Sequence, residues 1–349
     1  MKHEEYTSNP FSLSLGAKSA LYISRADEEE SILKTFMSVI PLSHIYVIIG
    51  AIGMGKTTLM TSVTTKIKED KSWIHINIDS EEPILQTMNY QLNNIAATSL
   101  SPKDPSVPLP TLPINSDSND GDIRYALDQL LLLIKNNGKK LIITIDDISN
   151  SSSIRTFTEY YLHCINEDLP LYVLMTGTYK NYRALYNNRT LSFLKRAPKI
   201  TLVPLSEIRI AREFEKILNL PEDDAIKLAK LTGGYTYAFQ ILGHLIFGSG
   251  EKVFSDEIYK DFKTELFDNA YEKIWRELSV KEREVLKMIS MYKDGGAVSI
   301  LKQQLNMDSN NFSTYRDILQ KSGLIYMSSY GKAKTSLPLF SEYIDIFCR

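Results

Sequence analysis

The chain has few cysteines, no long apolar run and almost no excess of charge of either sign. Its 349 residues include only two cysteines, Cys164 and Cys348, which lie far apart and lack C-x-x-C spacing. This count argues against a disulfide framework or a zinc site and favours a reducing compartment. No apolar stretch reaches the roughly 20 residues that a membrane-spanning helix needs, so we expect no membrane partner. The first residues, MKHEEYTSNPF, lack the apolar core of a signal peptide, and we therefore predict a cytoplasmic protein.

The composition itself says little about function. A formal net charge of −2 indicates neither a nucleic-acid nor a membrane partner, so any basic surface has to be local. Hydrophobic residues make up 43% of the chain and charged residues 23%, which is ordinary for a globular protein. The length allows about two or three domains. The function must therefore be sought in local motifs.

A glycine-rich turn between an apolar strand and a helix is the strongest of these motifs. The stretch IIGAIGMGKTTLM contains the spacing Gly50-x-x-x-x-Gly55-Lys56-Thr57, which is typical of a loop that binds the phosphates of ATP. Its glycines let successive N–H groups face an anion, and the helix N-terminus adds positive charge. Lys56 is predicted to reach the β- and γ-phosphates and Thr57 to bind Mg²⁺. The predicted nucleotide-binding residues of this loop are Gly50, Ala51, Ile52, Gly53, Met54, Gly55, Lys56, Thr57 and Thr58.

A second motif supplies the carboxylate that Mg²⁺ needs. In KKLIITIDDIS, residues 139–149, an apolar strand runs into Asp146 and Asp147. A strand that is apolar on both faces lies inside a parallel sheet, and its carboxyl end is where such sheets bind ligands. We predict that Asp146 holds Mg²⁺ through water and that Asp147 orients the attacking water. The alternative for Asp147 is a turn or helix-capping aspartate.

The next apolar strand, LPLYVLMTGT at residues 169–178, ends in polar residues. If this strand lies beside the previous one, Thr176 or Thr178 would be placed to contact the γ-phosphate or its water. A role in the turn alone is the other interpretation.

The order of these elements predicts the fold class and the domains. We expect an α/β P-loop NTPase domain, with a parallel sheet sandwiched by helices, over residues 1–204. Residues 98–122 hold five prolines and are predicted to be a flexible insertion. A double-glycine turn and apolar helices predict a helical lid over 205–269. Residues 270–349 are predicted to form a winged helix-turn-helix domain, because three helices are followed by strand, turn and strand.

In that C-terminal plan, residues 309–321 are the recognition helix. Its Asn, Gln and Arg side chains suit base edges, and nearby lysines suit phosphates. Residues 271–349 contain 12 Lys or Arg and 9 Asp or Glu, which is a weak basic excess. Contact with double-stranded DNA and a protein-facing or autoinhibitory role therefore both remain open. The candidate DNA-binding residues are Asn310, Asn311, Thr314, Arg316, Gln320, Lys321, Lys332 and Lys334.

Taken together, these motifs resemble those of AAA+ and STAND ATPases, especially the archaeal-type ATPases related to origin-recognition initiators. The resemblance extends to Asn9-Pro10-Phe11 and to Ser24-Arg25-Ala26-Asp27-Glu28, although the family has glycine where this chain has Ser24. It implies that Arg25 lies near the adenine. It also implies an arginine finger, Arg196 or Arg189, that acts on the nucleotide of a neighbouring subunit, and hence ATP-dependent oligomerisation. A surface role or an ion pair within the chain is the alternative for Arg196.

The lid departs from the family pattern. The family often has Gly-Gly-x-Pro, whereas this chain has Gly233-Gly234-Tyr235-Thr236 and no arginine in YTYAFQ. Slow, regulatory hydrolysis of ATP to ADP and phosphate is therefore expected. Three roles compete: a DNA-associated ATPase of replication, transposition or regulation, a STAND-like signalling or defence switch with a protein partner, and a small-molecule kinase. The third is disfavoured because the chain ends in a predicted winged helix rather than an acceptor pocket.

Overall fold

A computed structural model describes residues 8–13, 21–100, 120–250, 254–328 and 331–348. Contacts divide the chain into two compact units. The sheet unit comprises Arg25–Ile49 and Leu59–Ile200, and the loop–helix unit comprises Met1–Ser24, Gly50–Thr58 and Thr201–Arg349. The glycine-rich loop is thus grouped with the C-terminal half of the chain. No helix within the described ranges is long and apolar enough to cross a membrane.

The sheet unit is built on a mostly parallel five-stranded sheet, and the fold is that of an α/β P-loop NTPase. Its order is β2-β3-β4-β1-β5, so the chain crosses over between neighbouring strands. All residues of β1 and β4 are buried, as expected for parallel strands covered by helices on both faces. The strands are β1 (Ile45–Ile49), β2 (Trp73–Asp79), β3 (Lys140–Asp146), β4 (Leu171–Gly177) and β5 (Lys199–Thr201).

Amphipathic helices flank this sheet. A buried carboxylate ties the first two together, because Glu29 is only 1% exposed, pairs with Lys66 and accepts a hydrogen bond from Ser62 Oγ at 3.0 Å. The helices are α1 (Ala26–Met37), α2 (Lys56–Ile67), α3 (Ile84–Ser99), α4 (Asp120–Asn136), α5 (Ser152–Asn166), α6 (Tyr179–Tyr186) and a 3-10 helix (Arg189–Arg196).

The two ends of the predicted insertion 98–122 are helical. Helix α3 continues to Ser99 and α4 starts at Asp120, so the prediction of a loop was wrong for these ends, where helical hydrogen bonding extends beyond the apolar pattern. The proline-rich remainder, residues 101–119, lies outside the described residues.

In the described part of the loop–helix unit, five α-helices follow the sheet in sequence, with a π-helical turn before the fifth. Phe11, the last residue of the Asn9-Pro10-Phe11 element, is buried against Phe239 at 5.4 Å between ring centroids, and Gly243 leaves the space that this ring fills. A π-helical turn joins the fourth helix to the next one. The elements are α7 (Glu207–Leu218), α8 (Glu222–Thr232), α9 (Thr236–Gly248), α10 (Asp256–Leu266), the π-helical turn (Phe267–Tyr271) and α11 (Glu272–Glu277).

The remaining elements form what we call the C-terminal module, residues 280–347. Its antiparallel sheet has the order β6-β8-β7. The Asp308 carboxylate caps the start of helix α14 by accepting two backbone N–H bonds. Beyond the last helical residue, Gly323 has φ +76° and Leu324 N is bonded to Leu319 O at 3.0 Å, which is a Schellman motif. The elements are α12 (Val280–Ser290), β6 (Gly296–Ala297), α13 (Val298–Gln304), α14 (Ser309–Lys321), β7 (Ile325–Met327), β8 (Lys332–Thr335) and α15 (Phe340–Phe347).

Candidate functional site

The predicted phosphate loop connects β1 to α2 through a tight turn. Met54 N donates to Ala51 O at 3.2 Å, and Gly53 and Gly55 have φ of +75° and +85°. A left-handed residue at the third position is what a type II turn requires, and glycine adopts it without steric cost. Gly53 and Gly55 are therefore needed for the path of the backbone.

Three donors from the start of α9 hold the outer side of this turn. Tyr235 OH donates to Ile52 O at 2.7 Å, Thr236 Oγ1 to Gly53 O at 2.6 Å, and Tyr237 N to Gly53 O at 3.1 Å. Carbonyl and N–H of a trans peptide point in opposite directions, so fixing these carbonyls also fixes the N–H groups of the following residues. The start of α9 thereby orients the loop.

Lys56 is the first residue of α2 and is 9% exposed. Its ammonium donates to Gly50 O at 3.2 Å and to Ala51 O at 3.1 Å. Thr57 and Thr58 follow it in the first turn of the helix and are half-buried. A cation at a helix N-terminus, where N–H groups lack intrahelical partners, makes this region attractive to anions.

The predicted acidic residues lie at the carboxyl edge of the sheet and are joined by Thr176. This threonine is fully buried in β4, opposite Ile48 of β1. Its hydroxyl donates to Asp146 Oδ1 and accepts from Asp147 N at 3.0 Å. Neighbouring parallel strands β3 and β4 bring these three residues together, as predicted from the strand order.

Asp147 has an unusual backbone conformation. Its φ is +48°, a region that Asp tolerates better than most residues but that still carries strain. Three hydrogen bonds hold it there: its N–H reaches Thr176 Oγ1 and Asp146 Oδ1, and its carbonyl accepts from Ser80 Oγ at 3.2 Å. The side chain is exposed. The protein thus fixes the backbone and presents the carboxylate at the surface of the sheet unit.

Ser80 and Asp79 were missed by the sequence reasoning. Asp79 ends β2 in register with Asp146, and buried Ser80 bonds to the backbone of Asp147. A polar pair at the end of an apolar strand was visible in KSWIHINIDS. That this pair lies close to Asp146 and Asp147, however, follows only from the position of β2 beside β3.

Other predicted residues have separate surroundings. Thr178 accepts from Asn181 N at 3.3 Å and so caps α6. Arg25 is 3% exposed and precedes α1, with Nη1 3.5 Å from Glu28 Oε1. Arg189 and Arg196 are exposed at the two ends of the 3-10 helix, and neither forms an ion pair within the described ranges.

The candidate DNA-binding residues differ in exposure and pairing. Arg316 is half-buried and its guanidinium is bonded to Asp317 Oδ1, at 3.2 Å from Nε and 2.8 Å from Nη2. Lys334 is half-buried in β8. The exposed members of the set are Asn310, Asn311, Thr314, Gln320, Lys321 and Lys332.

Comparisons with known proteins agree with the fold. The Walker-type ATPase PABY2304 of Pyrococcus abyssi is 14% identical, with a TM-score of 0.63 over 93% of this chain and 96% of that chain. The ORC2 protein of Aeropyrum pernix, solved as ADPNP–ADP complexes, is 16% identical, with a TM-score of 0.57 over 92% and 93%. Residues 268–344 match the family model of a domain of unknown function, DUF8462. No curated protein sequence matches significantly.

Proposed function

We propose that this chain binds ATP at the loop Gly50–Thr57 and hydrolyses it slowly to ADP and phosphate. The observation that carries the proposal is the loop itself, whose carbonyls are held on one side by Tyr235, Thr236 and Tyr237. Such a turn, followed by a lysine at a helix N-terminus, has the geometry and charge that a triphosphate requires. Two of the fold neighbours are an ATPase and a protein solved with adenine nucleotides, which is consistent with this role.

Nucleotide binding requires a change in the hydrogen bonds of Lys56. Its ammonium bonds to two loop carbonyls, which are weaker partners than a doubly charged phosphate. On binding, it would exchange those carbonyls for β- and γ-phosphate oxygens. Asp147, with its backbone fixed and its carboxylate exposed, would orient the attacking water, and positioning and charge neutralisation would supply the catalysis.

We also propose that a magnesium ion accompanies the nucleotide, because two of the predicted residues carry oxygen ligands of the kind it prefers. Mg²⁺ prefers oxygen ligands from one or two protein groups plus phosphates and water. The Asp146 carboxylate and the Thr57 hydroxyl are such groups, and Thr176 orients the carboxylate through Oδ1. When bound, the ion would neutralise charge on the β- and γ-phosphates.

Titration with Mg·ATP tests this proposal. Lys56→Ala should weaken ATP binding by at least about 50-fold, because the removed cation makes charge-assisted hydrogen bonds to phosphate. Lys68→Ala, which changes an exposed lysine just after α2, is the matched control and should bind as the wild type does. Equal affinity in the wild type and in Lys56→Ala would refute the assignment.

For the biological role, we propose that the nucleotide state controls the C-terminal module, acting as a winged helix on double-stranded DNA. The support is the run of exposed Asn, Thr and Gln along α14, with Lys321 and Lys332 nearby. A second candidate role is a switch with a protein partner. The observation that favours it is the pairing of Arg316 with Asp317, which reduces the positive charge available to phosphates.

Duplex binding at several salt concentrations separates the two roles. If the module binds DNA, Lys332→Ala and Arg316→Ala should each weaken binding and lower the salt slope by about one. Lys273→Ala, an exposed lysine of α11, is the control. Absence of duplex binding at low salt, with and without ATP, would leave the protein-partner role.

Oligomerisation is the remaining part of the proposal. Arg196 is exposed and outside any ion pair in the described part of the chain, so it is available to the nucleotide of a second copy. Arg196→Ala should abolish any increase in particle mass induced by a non-hydrolysable ATP analogue, measured by light scattering, while ATP binding persists.

A further inference from the structure

Two buried tyrosines link the phosphate loop to the C-terminal module. Tyr235 is 0% exposed and donates to Ile52 O of the loop. Its ring is stacked on that of Tyr271, at 6.3 Å between centroids and 22° between planes. Tyr271 is also 0% exposed, donates its hydroxyl to Pro338 O and packs against Phe340 at 4.8 Å. A continuous series of contacts therefore runs from a loop carbonyl to the start of α15.

The backbone at both ends of this series is unusual. Tyr271 ends the π-helical turn between α10 and α11, and such turns are rare and frequently lie at functional sites. Leu339, between Pro338 and Phe340, has φ +57°, which is strained for a branched side chain and persists only where its surroundings impose it. The hydroxyl of Tyr271 on Pro338 O is one such constraint, and Gly233 lies beside the same segment, since a Cβ there would be 3.6 Å from Pro338 Cβ.

The C-terminal module also approaches the loop directly. A Cβ on Gly323, at the end of α14, would lie 3.8 Å from Ala51 N. The backbone after α14 thus lies close to the first turn of the loop. Movement of the loop peptides on nucleotide binding would be felt at Gly323 and, through the two tyrosines, at Pro338.

We propose that Tyr235 is a positioning residue of the phosphate loop and that Tyr271 couples it to residues 338–340, so that nucleotide binding alters the packing of the C-terminal module. This inference rests on the proposed ATP binding and adds its regulation. By holding Ile52 O, Tyr235 sets the direction of the Gly53 N–H, which shares that peptide plane. The stacked ring of Tyr271 converts a rotation of this peptide into a displacement at Pro338.

A single-tryptophan protein makes the coupling measurable. The chain has two tryptophans, and Trp275 lies in α11, four residues after Tyr271, with the Arg283 guanidinium 5.6 Å from its ring. In a Trp73→Phe parent, emission from Trp275 reports on this region, while displacement of a fluorescent ATP analogue reports on binding. The ligand is Mg²⁺ with a non-hydrolysable ATP analogue.

In this parent, Tyr235→Phe should weaken nucleotide binding about fivefold, the value of one hydrogen bond, and at least halve the Trp275 response at saturation. Tyr271→Phe should keep the affinity within about twofold but also reduce the response. Tyr160→Phe is the control, because it removes an equally buried hydroxyl that bonds to Asp128 in the sheet unit, and it should change neither quantity. Circular dichroism verifies the fold of each variant.

The outcomes distinguish this inference from the proposed function. If the parent does not bind nucleotide, ATP binding itself is wrong. If the parent binds but Trp275 does not respond, or responds equally in the parent and in both tyrosine variants, the coupling is wrong and ATP binding stands.

Discussion

Replacing Thr176 with valine tests how Asp146 and Asp147 are held at the carboxyl edge of the sheet, which we call the acidic edge. The substitution keeps the β-branched shape in the middle of the sheet but removes the hydroxyl that donates to Asp146 Oδ1 and accepts from Asp147 N. Because Thr176 is 0% exposed and the valine methyl fills the place of the hydroxyl, no water can enter at that position. The carboxylate of Asp146 would lose its neutral donor, and the strained backbone of Asp147 would lose one of its three restraints.

The expected cost follows from these bonds. A hydrogen bond to a charged group contributes about 1.5–3 kcal/mol and a neutral one about 1 kcal/mol. Burying a methyl instead of a hydroxyl returns about 0.8 kcal/mol. We therefore expect Thr176→Val to lower the free energy of unfolding by about 2 kcal/mol, which lowers Tm by roughly 5 °C for a unit of this size.

Thermal unfolding of the wild type, Thr176→Val, Thr176→Ser, Asp146→Asn and the valine–asparagine double mutant measures this effect and assigns it to the pair. Thr176→Ser retains the hydroxyl and should remain closer to the wild type than Thr176→Val. In a double-mutant cycle with Asp146→Asn, the coupling energy should reach about 1 kcal/mol or more. If valine and serine gave the same Tm and the cycle gave no coupling, the hydroxyl would not hold the acidic edge.

Three further predictions follow from single positions. Gly53→Ala should abolish ATP binding, because φ is +75° and the added Cβ would meet the Tyr235 hydroxyl and, at 2.8 Å, the Tyr237 Cβ. Gly138→Ala is the control, because its φ is +68° and an added Cβ would meet nothing within 4 Å, so it carries only the strain of a left-handed backbone. An equal loss of ATP binding in both variants would refute the explanation by a clash with the tyrosines. Asp147→Asn should leave ATP affinity unchanged and slow hydrolysis about tenfold or more, and unchanged turnover would remove its role. Burial lowers the pKa of His75 from 6.5 to about 4. Between these two pKa values the unfolded chain binds more protons than the folded chain, so the free energy of unfolding falls as the pH drops through this range. His75→Gln should reduce the loss in unfolding free energy between pH 7 and pH 5 by about 1 to 2 kcal/mol, and a wild-type pH dependence in this variant would contradict the attribution.

The sequence was sufficient for the elements whose patterns are local. The strand, loop and helix around Gly50–Thr57 follow from glycine spacing and apolar runs, and the neighbouring positions of β3 and β4 were also predicted. Helix boundaries were less accurate, since α3 and α4 extend into the predicted insertion. The prediction followed the apolar periodicity, whereas the hydrogen bonds of a helix continue through polar residues at its ends.

Long-range contacts could not be predicted from one sequence. Nothing in YTYAFQ indicates that the hydroxyl of Tyr235 reaches Ile52 O. The same holds for Ser80 and the backbone of Asp147. Such contacts depend on which segments the fold brings together, and periodicity and composition do not contain that information.

A crystal structure with Mg²⁺ and a non-hydrolysable ATP analogue tests the central claim most directly. Lys56 Nζ lies 3.2 Å from Gly50 O and 3.1 Å from Ala51 O. With nucleotide bound, we predict that this ammonium leaves both carbonyls for the β- and γ-phosphates and that the amides of Gly53–Thr57 surround them. A nucleotide bound elsewhere, or a lysine still on its two carbonyls, would contradict the account.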